Sequence, residues 1–547
     1  MLISPLLAIA VLAADTHGSA TERAAAARIT PAEISGHIRF LADDLLEGRK
    51  PGTRGAELAV KYIATEMESM GLVPGATAQD GSPSWFQPVP LVELRGRLPR
   101  EVVFQGPSGQ VSLAPGMGVK SDLVLDPDAH VDVARVRDAE LVFAGYGIVA
   151  PEYGWDDYKD VDVRGKVVVL MNFNPPFAGQ GVRLWYGRWD YKYLTAAAHG
   201  AVGALVIHTT PSAGYPWQVL SASSDGVRID LPPQDDRRMQ FQGWVTEEGA
   251  RKLARLGGQD LDALRSQAQA KSFRPVPLPV RTSFEMPIER MTTMSANVVG
   301  KIPGTDPRLR DEVVMYTAHW DHLGKRDPAP GTSDGIYNGA LDNASGCASI
   351  LAIARAAREA APRRSMLFVF VTAEEQGLLG SRWFAQHPTV PPGRIAADIN
   401  IDSANKWGRT TDIGMLGLGK SSVDAVVKQV ASEQGRDVHG DPFPDRGAFY
   451  RSDQFELARI GVPVVAIRGG PTYAGRPPGW GAAQHEAFER TDYHQVSDEY
   501  HGNWDLSGAV EDAQLDLVVG LRIANATTLP QWKPGDEFEK ARKTAAR

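Results

Sequence analysis

Residues 313–321 are VVMYTAHWD: Val313–Ala318 has the apolar run of a strand covered on both faces, and His319, Trp320 and Asp321 close it. Three further runs are built the same way. Met366–Thr372 (MLFVFVT) is followed by Ala373-Glu374-Glu375, Ile395–Ile401 (IAADINI) ends at Asp402, and Val462–Ile467 (VPVVAI) comes later. Helical stretches, Ser345–Ala360 and Ser422–Glu433, lie between them. Alternating apolar strands and helices specify an α/β fold with a mostly parallel mixed sheet flanked by helices. Such sheets bind ligands beyond the carboxyl ends of their strands. His319, Glu374, Glu375 and Asp402 are therefore expected to converge. Asp342-Asn343, before the Ser345 helix, and Tyr493-His494, near the C-terminus, can join them.

Convergence has an electrostatic cost. Asp342, Glu374, Glu375 and Asp402 place four carboxylates in one crevice, and two like charges about 4 Å apart repel by roughly 4 kcal/mol at an effective dielectric near 20. Cations or shifted protonation must offset that. Histidine with carboxylate ligands suits zinc, with cobalt or manganese as substitutes. Adjacent side chains in extended chain point to opposite sides, so Glu374 and Glu375 divide their labour, one ligating and one facing the attacking water. His319 and Asp321 share a side, which lets Asp321 orient the imidazole.

The ordered set His319-x-Asp321, Gly339–Gly346 (GALDNASG), Thr372–Gly377 (TAEEQG), Asn400-x-Asp402 and Tyr493-His494 resembles the co-catalytic zinc aminopeptidases of metallopeptidase family 28, which includes the glutamate carboxypeptidases. Two Zn²⁺ ions are implied by the resemblance. His319 and Asp402 fall on one, Glu375 and His494 on the other, with Asp342 bridging and Glu374 as general base. Tyr450 aligns with a tyrosine that steadies the developing oxyanion in some members, and a cis peptide is implied at Asp342-Asn343. The implied activity is exopeptidase hydrolysis, most simply of N-terminal peptide bonds by a metal-bridging water, on peptides with a free N-terminus. The alternatives are a carboxypeptidase of the glutamate carboxypeptidase type, a glutaminyl cyclase, or a non-catalytic receptor-like homologue. Arg451 and Arg468 are available to hold a substrate carboxylate.

The resemblance implies a peptidase domain split by an insert, and the termini complete the expected division of the chain. Residues 1–20 are a signal peptide, 24–130 and 283–535 two parts of a peptidase domain, 131–282 an inserted, smaller, β-rich protease-associated domain, and 536–547 a tail. Met1–Ala14 is too short to span a bilayer and reads as the apolar core of an export signal, although a preceding Lys or Arg is missing. That implies an exported, periplasmic or extracellular protein. No other stretch is apolar over the roughly 18 residues a spanning helix needs.

Composition narrows the remaining classes. The 547 residues carry a net charge of −8, which argues against a nucleic-acid binder, and the single cysteine excludes an intrachain disulfide. Cys347 is read as a small buried hydrophobe. Two further patterns compete. Gly414–Ser421 (GMLGLGKS) fits the phosphate-binding G-x-x-x-x-G-K-[ST] motif, but the only convincing later strand ends in Arg468-Gly469-Gly470, without a magnesium-binding Asp. Gly331–Gly335 (GTSDG) fits a nucleophile elbow, but a polar loop rather than a buried strand precedes it.

Overall fold

The computed structural model describes residues 19–545, apart from 117–119, 176, 178, 180–181, 223–226, 234–237, 329–330 and 442. The expected export signal lies almost wholly outside the described residues. None of the described helices is long and apolar enough to cross a membrane.

Four parallel strands form the centre of the sheet. Ser365–Val371 pairs with Val313–His319, which pairs with Ile395–Asn400, which pairs with Val464–Gly469. Every residue of the first three is buried, as β-branched and aromatic runs with helices on both faces should be. Antiparallel strands flank them: Asp412–Leu416 beyond Val464–Gly469, and Val276–Ile302 beyond Ser365–Val371. One face carries Pro31–Leu41, Arg54–Ser69, Ser345–Arg358 and Ser507–Asn525; the other carries Leu379–Gln386, Gln454–Arg459 and the C-terminal Trp532 and Phe538. Gly520 shows how close this packing is, since a Cβ there would lie 1.8 Å from the Tyr316 hydroxyl.

Local sequence sets the ends of the two helices Pro31–Leu41 and Arg54–Ser69. Thr30 accepts from the Glu33 N–H, with Pro31 opening the helix, and Gly71 turns the chain with φ +81° after the second helix.

The inserted lobe departs from its expected limits. The hairpin Val102–Gly106 and Gly109–Leu113, together with Leu123–Pro127, builds the same sheet as Val133–Phe143, Val167–Met171, Gly203–His208 and Phe241–Thr246. The lobe therefore begins near residue 97 rather than 131. Its far boundary at 282 falls inside one strand: Val276–Ile302 runs 27 residues, pairing with Val133–Phe143 in the lobe and with Ser365–Val371 in the central sheet. Register shifts between Leu278 and Arg281 and between Thr282 and Phe284 interrupt its pairing within the lobe. Within the expected C-terminal tail, Glu539–Ala545 is helical and the buried Arg542 donates to the Pro392 and Ile395 carbonyls.

Arg49 joins the N-terminal segment to the site. Its guanidinium is buried and donates to the carbonyls of Trp320 (2.8 Å), Asn338 (2.5 Å), Gly339 (3.0 Å) and Leu41. Arg49→Leu leaves those carbonyls unpaired at about 1–3 kcal/mol each. It should lower the unfolding free energy by about 3 kcal/mol or more in a denaturant titration; a variant within 1 kcal/mol of wild type would show that water replaces the guanidinium.

Candidate metal centre

The carboxyl ends of the parallel strands deliver the expected residues to one place. His319 closes Val313–His319, Glu374 and Glu375 follow Ser365–Val371, and Asp402 follows Ile395–Asn400. Asp342 sits between two histidines, with Oδ1 3.2 Å from His319 Nε2 and Oδ2 3.2 Å from His494 Nε2. Asp402 Oδ1 lies 3.6 Å from His319 Nε2, and Glu375 Oε2 lies 3.0 Å from His494 Nε2. Two three-residue groups result, sharing Asp342.

The loops are fixed by their own hydrogen bonds. The Asp498 carboxylate accepts from the backbone N–H groups of Leu341 and Asp342 at 3.0 Å each. Asn343 Oδ1 accepts from Gly346 and Ser403, and Asn343 Nδ2 donates to the Ile401 carbonyl, which ties the Asp342 loop to the one bearing Asp402. The Asp342-Asn343 peptide is cis.

The donors fit divalent metal ions. His319 Nδ1 lies 3.2 Å from the Asp321 carbonyl oxygen, which can only accept, so the proton sits on Nδ1. Nε2 then turns a lone pair toward two carboxylates, an arrangement a shared cation resolves. Without metal, burial opposes the charged imidazole, but Glu374, Asp342 and Asp402 together hold the His319 pKa well above its usual range.

Asp321 has a double role that differs from the one expected. Its carboxylate is 3.9 Å from His319 Nδ1, so the carbonyl makes the orienting contact, while Oδ1 accepts the Glu374 N–H at 3.2 Å. Glu374 and Glu375 do separate. Glu375 contacts His322 and His494, while burial, with Glu375, Asp453 and Asp402 adding to it and His319 opposing, drives the Glu374 pKa well above the carboxylate range.

Tyr450 is not brought to this cluster. Its ring packs against Phe449 and Phe455, and its hydroxyl donates to Glu537 at 2.8 Å. The charged groups facing it are Glu537 and Asp536, not the site carboxylates. The oxyanion role expected of it therefore has no support here: the short helical turn Ala448–Tyr450 aims the side chain into the packing around Phe538. Tyr493 stacks on His494 at 3.9 Å and is the tyrosine beside the centre.

Other expectations resolve simply. The Cys347 thiol is buried, with its pKa pushed up to about 12, and donates to the His319 carbonyl, as a packing residue should. In the phosphate-loop pattern, Lys420 contacts Asp536 at 3.0 Å and Glu537 at 2.9 Å, and Asp424 takes the Gly419 N–H. That lysine is already neutralised.

Sequence reasoning overlooked His322, buried with Nδ1 2.6 Å from Glu375 Oε1, and Asp498. The signal for His322 was its place one residue beyond His319-x-Asp321; for Asp498 there was none.

Comparison with known proteins agrees with this geometry. Residues 297–518 match the model of peptidase family M28. The chain is similar to a probable leucine aminopeptidase 2 of Aspergillus oryzae, 35% identical over 244 residues, which are 44% of this chain and 38% of that protein. It is also similar to a probable zinc metalloprotease of Pyrenophora tritici-repentis, 34% identical over 112 residues, 20% of this chain and 24% of that protein. The chain thus matches well under half the length of these curated relatives. The aminopeptidase from Aneurinibacillus sp. strain AM-1 shares the fold, with a TM-score of 0.51 at 17% identity over 94% of this chain and 97% of that one. The matched segment runs from inside the long shared strand to the Ser507–Asn525 helix and carries all five converging side chains, so the part of the chain that builds the site is the part similar to peptidase family M28.

Proposed function

We propose that the protein is a metal-dependent exopeptidase, an aminopeptidase that hydrolyses the peptide bond after a free N-terminal residue. Two zinc ions fit the donors: His319 and Asp402 on one side, Glu375 and His494 on the other, and Asp342 shared. The observation that carries this reading is the placement of one Asp342 oxygen 3.2 Å from each histidine. The names of relatives such as the probable zinc metalloprotease support zinc.

When bound, divalent ions of this kind supply Lewis acidity and lower the pKa of water toward 7. The remaining work belongs to the chain. Glu374 takes a proton from the attacking water and returns it to the leaving amine, and its burial among like charges makes it a ready proton acceptor. Asp321 holds the Glu374 backbone in place through the N–H it accepts. His494 is the most exposed of the five ligands, so the substrate approaches from its side.

One observation favours a second reading. Arg468 Nη2 lies 3.9 Å from Asp402 Oδ2, and Arg451 faces Glu374 and Tyr493, a pair of guanidinium groups that would suit a substrate carboxylate. We also read the inserted lobe as a protease-associated domain and the chain as exported, on the sequence alone.

The test is to assay aminoacyl anilides, N-blocked anilides and peptides ending in glutamate in parallel, with and without chelator. The reading predicts cleavage of the free-amine substrates only, lost with chelator and restored by zinc. Preference for glutamate-terminated peptides would support the second reading, and chelator-resistant turnover would reject both.

A further inference from the structure

Among the described buried groups that this chemistry leaves unused, His322 makes its hydrogen bond to the carboxylate of a proposed ligand, Glu375. The two oxygens of Glu375 face different histidines: Oε2 lies 3.0 Å from His494 Nε2, and Oε1 lies 2.6 Å from His322 Nδ1. A carboxylate oxygen only accepts, so His322 is the donor. Its Nε2 is buried with no hydrogen-bond partner, so the ring has no second polar bond holding it.

The ring has a built seat. Gly339 adopts φ +57°, and a Cβ there would come 2.5 Å from His322 Cγ. The Arg49 guanidinium holds the carbonyls of Asn338 and Gly339, which fixes that seat from below. His494 stands on the other side, its ring centroid 5.7 Å from that of His322 with the planes at 74°. His322 thus sits between the fixed loop and the most exposed of the five ligands.

We propose that His322 is a positioning residue that holds Glu375 Oε1 so that Oε2 alone faces the space shared with His494 and Asp342. The proposal rests on the metal reading above. A free carboxylate can offer both oxygens to one cation or swing away from it. With Oε1 engaged by an N–H, Glu375 offers one oxygen in one direction, and the ligand group around His494 is preformed. The hydrogen bond of His322 goes to Glu375, whereas His319 is held by the Asp321 carbonyl and faces Asp342. The expected consequence is unequal: loss of the His322 N–H weakens one of the two metal positions and spares the other. Removing a hydrogen-bond partner of a metal ligand typically costs about 10- to 100-fold in metal affinity.

The experiment titrates zinc calorimetrically into the full chain, stripped of metal, as wild type, His322→Ala, His322→Asn and His322→Phe. Asparagine keeps a donor near the Nδ1 position, and phenylalanine fills the seat without one. Thermal unfolding of each metal-free variant separates lost packing from lost ligation. The proposal predicts that His322→Ala and His322→Phe bind one zinc equivalent as wild type does and the other about 10- to 100-fold more weakly, with His322→Asn recovering most of the loss. Wild-type affinities in both His322→Ala and His322→Phe would overturn it, as would His322→Asn as weak as His322→Phe, which would make the ring itself the ligand. A wild-type chain that takes up no zinc would instead overturn the metal reading, and this inference with it.

Discussion

Glu374→Gln should lower kcat by about 10²- to 10⁴-fold while leaving bound metal unchanged. The substitution keeps the volume and polarity of the side chain and removes only its capacity to accept a proton. Metal should stay, because each histidine Nε2 faces Asp342, Asp402 or Glu375 at 3.0–3.6 Å, and those contacts do not involve Glu374. The loss should appear in kcat more than in KM, since the proton moves only as the reaction proceeds. A variant turning over at the wild-type rate would move the base elsewhere. Asp453 and Asp321 would be the next candidates, buried carboxyls whose pKa values burial raises to about 7.

The second large effect belongs to Asp342→Ala. Asp342 is the one side chain with an oxygen against both histidines, so its removal leaves His319 with Asp402 and Glu375 with His494, two donors on each side where a catalytic zinc has three. Metal analysis after dialysis should find both positions emptied, and turnover should fall to the background of the metal-free chain. The fold should survive, because Asp498 holds this loop through the N–H groups of Leu341 and Asp342, which the substitution keeps. A dialysed variant still carrying two zinc equivalents would show that Asp342 does not link the two sides.

Most of the central sheet could be read in advance because its strands are buried on both faces. A run such as MLFVFVT has no other stable place, and an acid or histidine directly after such a run can only be near the strand end. That is why His319, Glu374, Glu375 and Asp402 were legible. Asp342 and His494 lie on loops and were placed by resemblance rather than by periodicity. The inserted lobe was read less well. Its first hairpin, VVFQG and GQVSL around a Pro-Ser turn, has a strand–turn–strand pattern that does not say which sheet it joins, and the long strand Val276–Ile302 hides a lobe boundary in continuous extended chain.

Partners distant in the chain were not legible at all. The Tyr450 hydroxyl is claimed by Glu537, 87 residues later, in a segment that sequence alone reads as a tail. Arg49 lies in a polar, turn-rich loop, where an arginine is ordinarily solvated, and only the folded chain shows four carbonyls around it. His322 is marked in the sequence only by its place directly after Asp321, and the contact with Glu375 is visible only in the folded chain.

The most direct measurement is anomalous scattering at the zinc edge from crystals of the zinc-loaded protein. Two peaks about 3.5–4 Å apart are predicted, one beside His319 and Asp402, the other beside Glu375 and His494, with an Asp342 oxygen on each. A single peak, or zinc bound away from Asp342, would contradict the account.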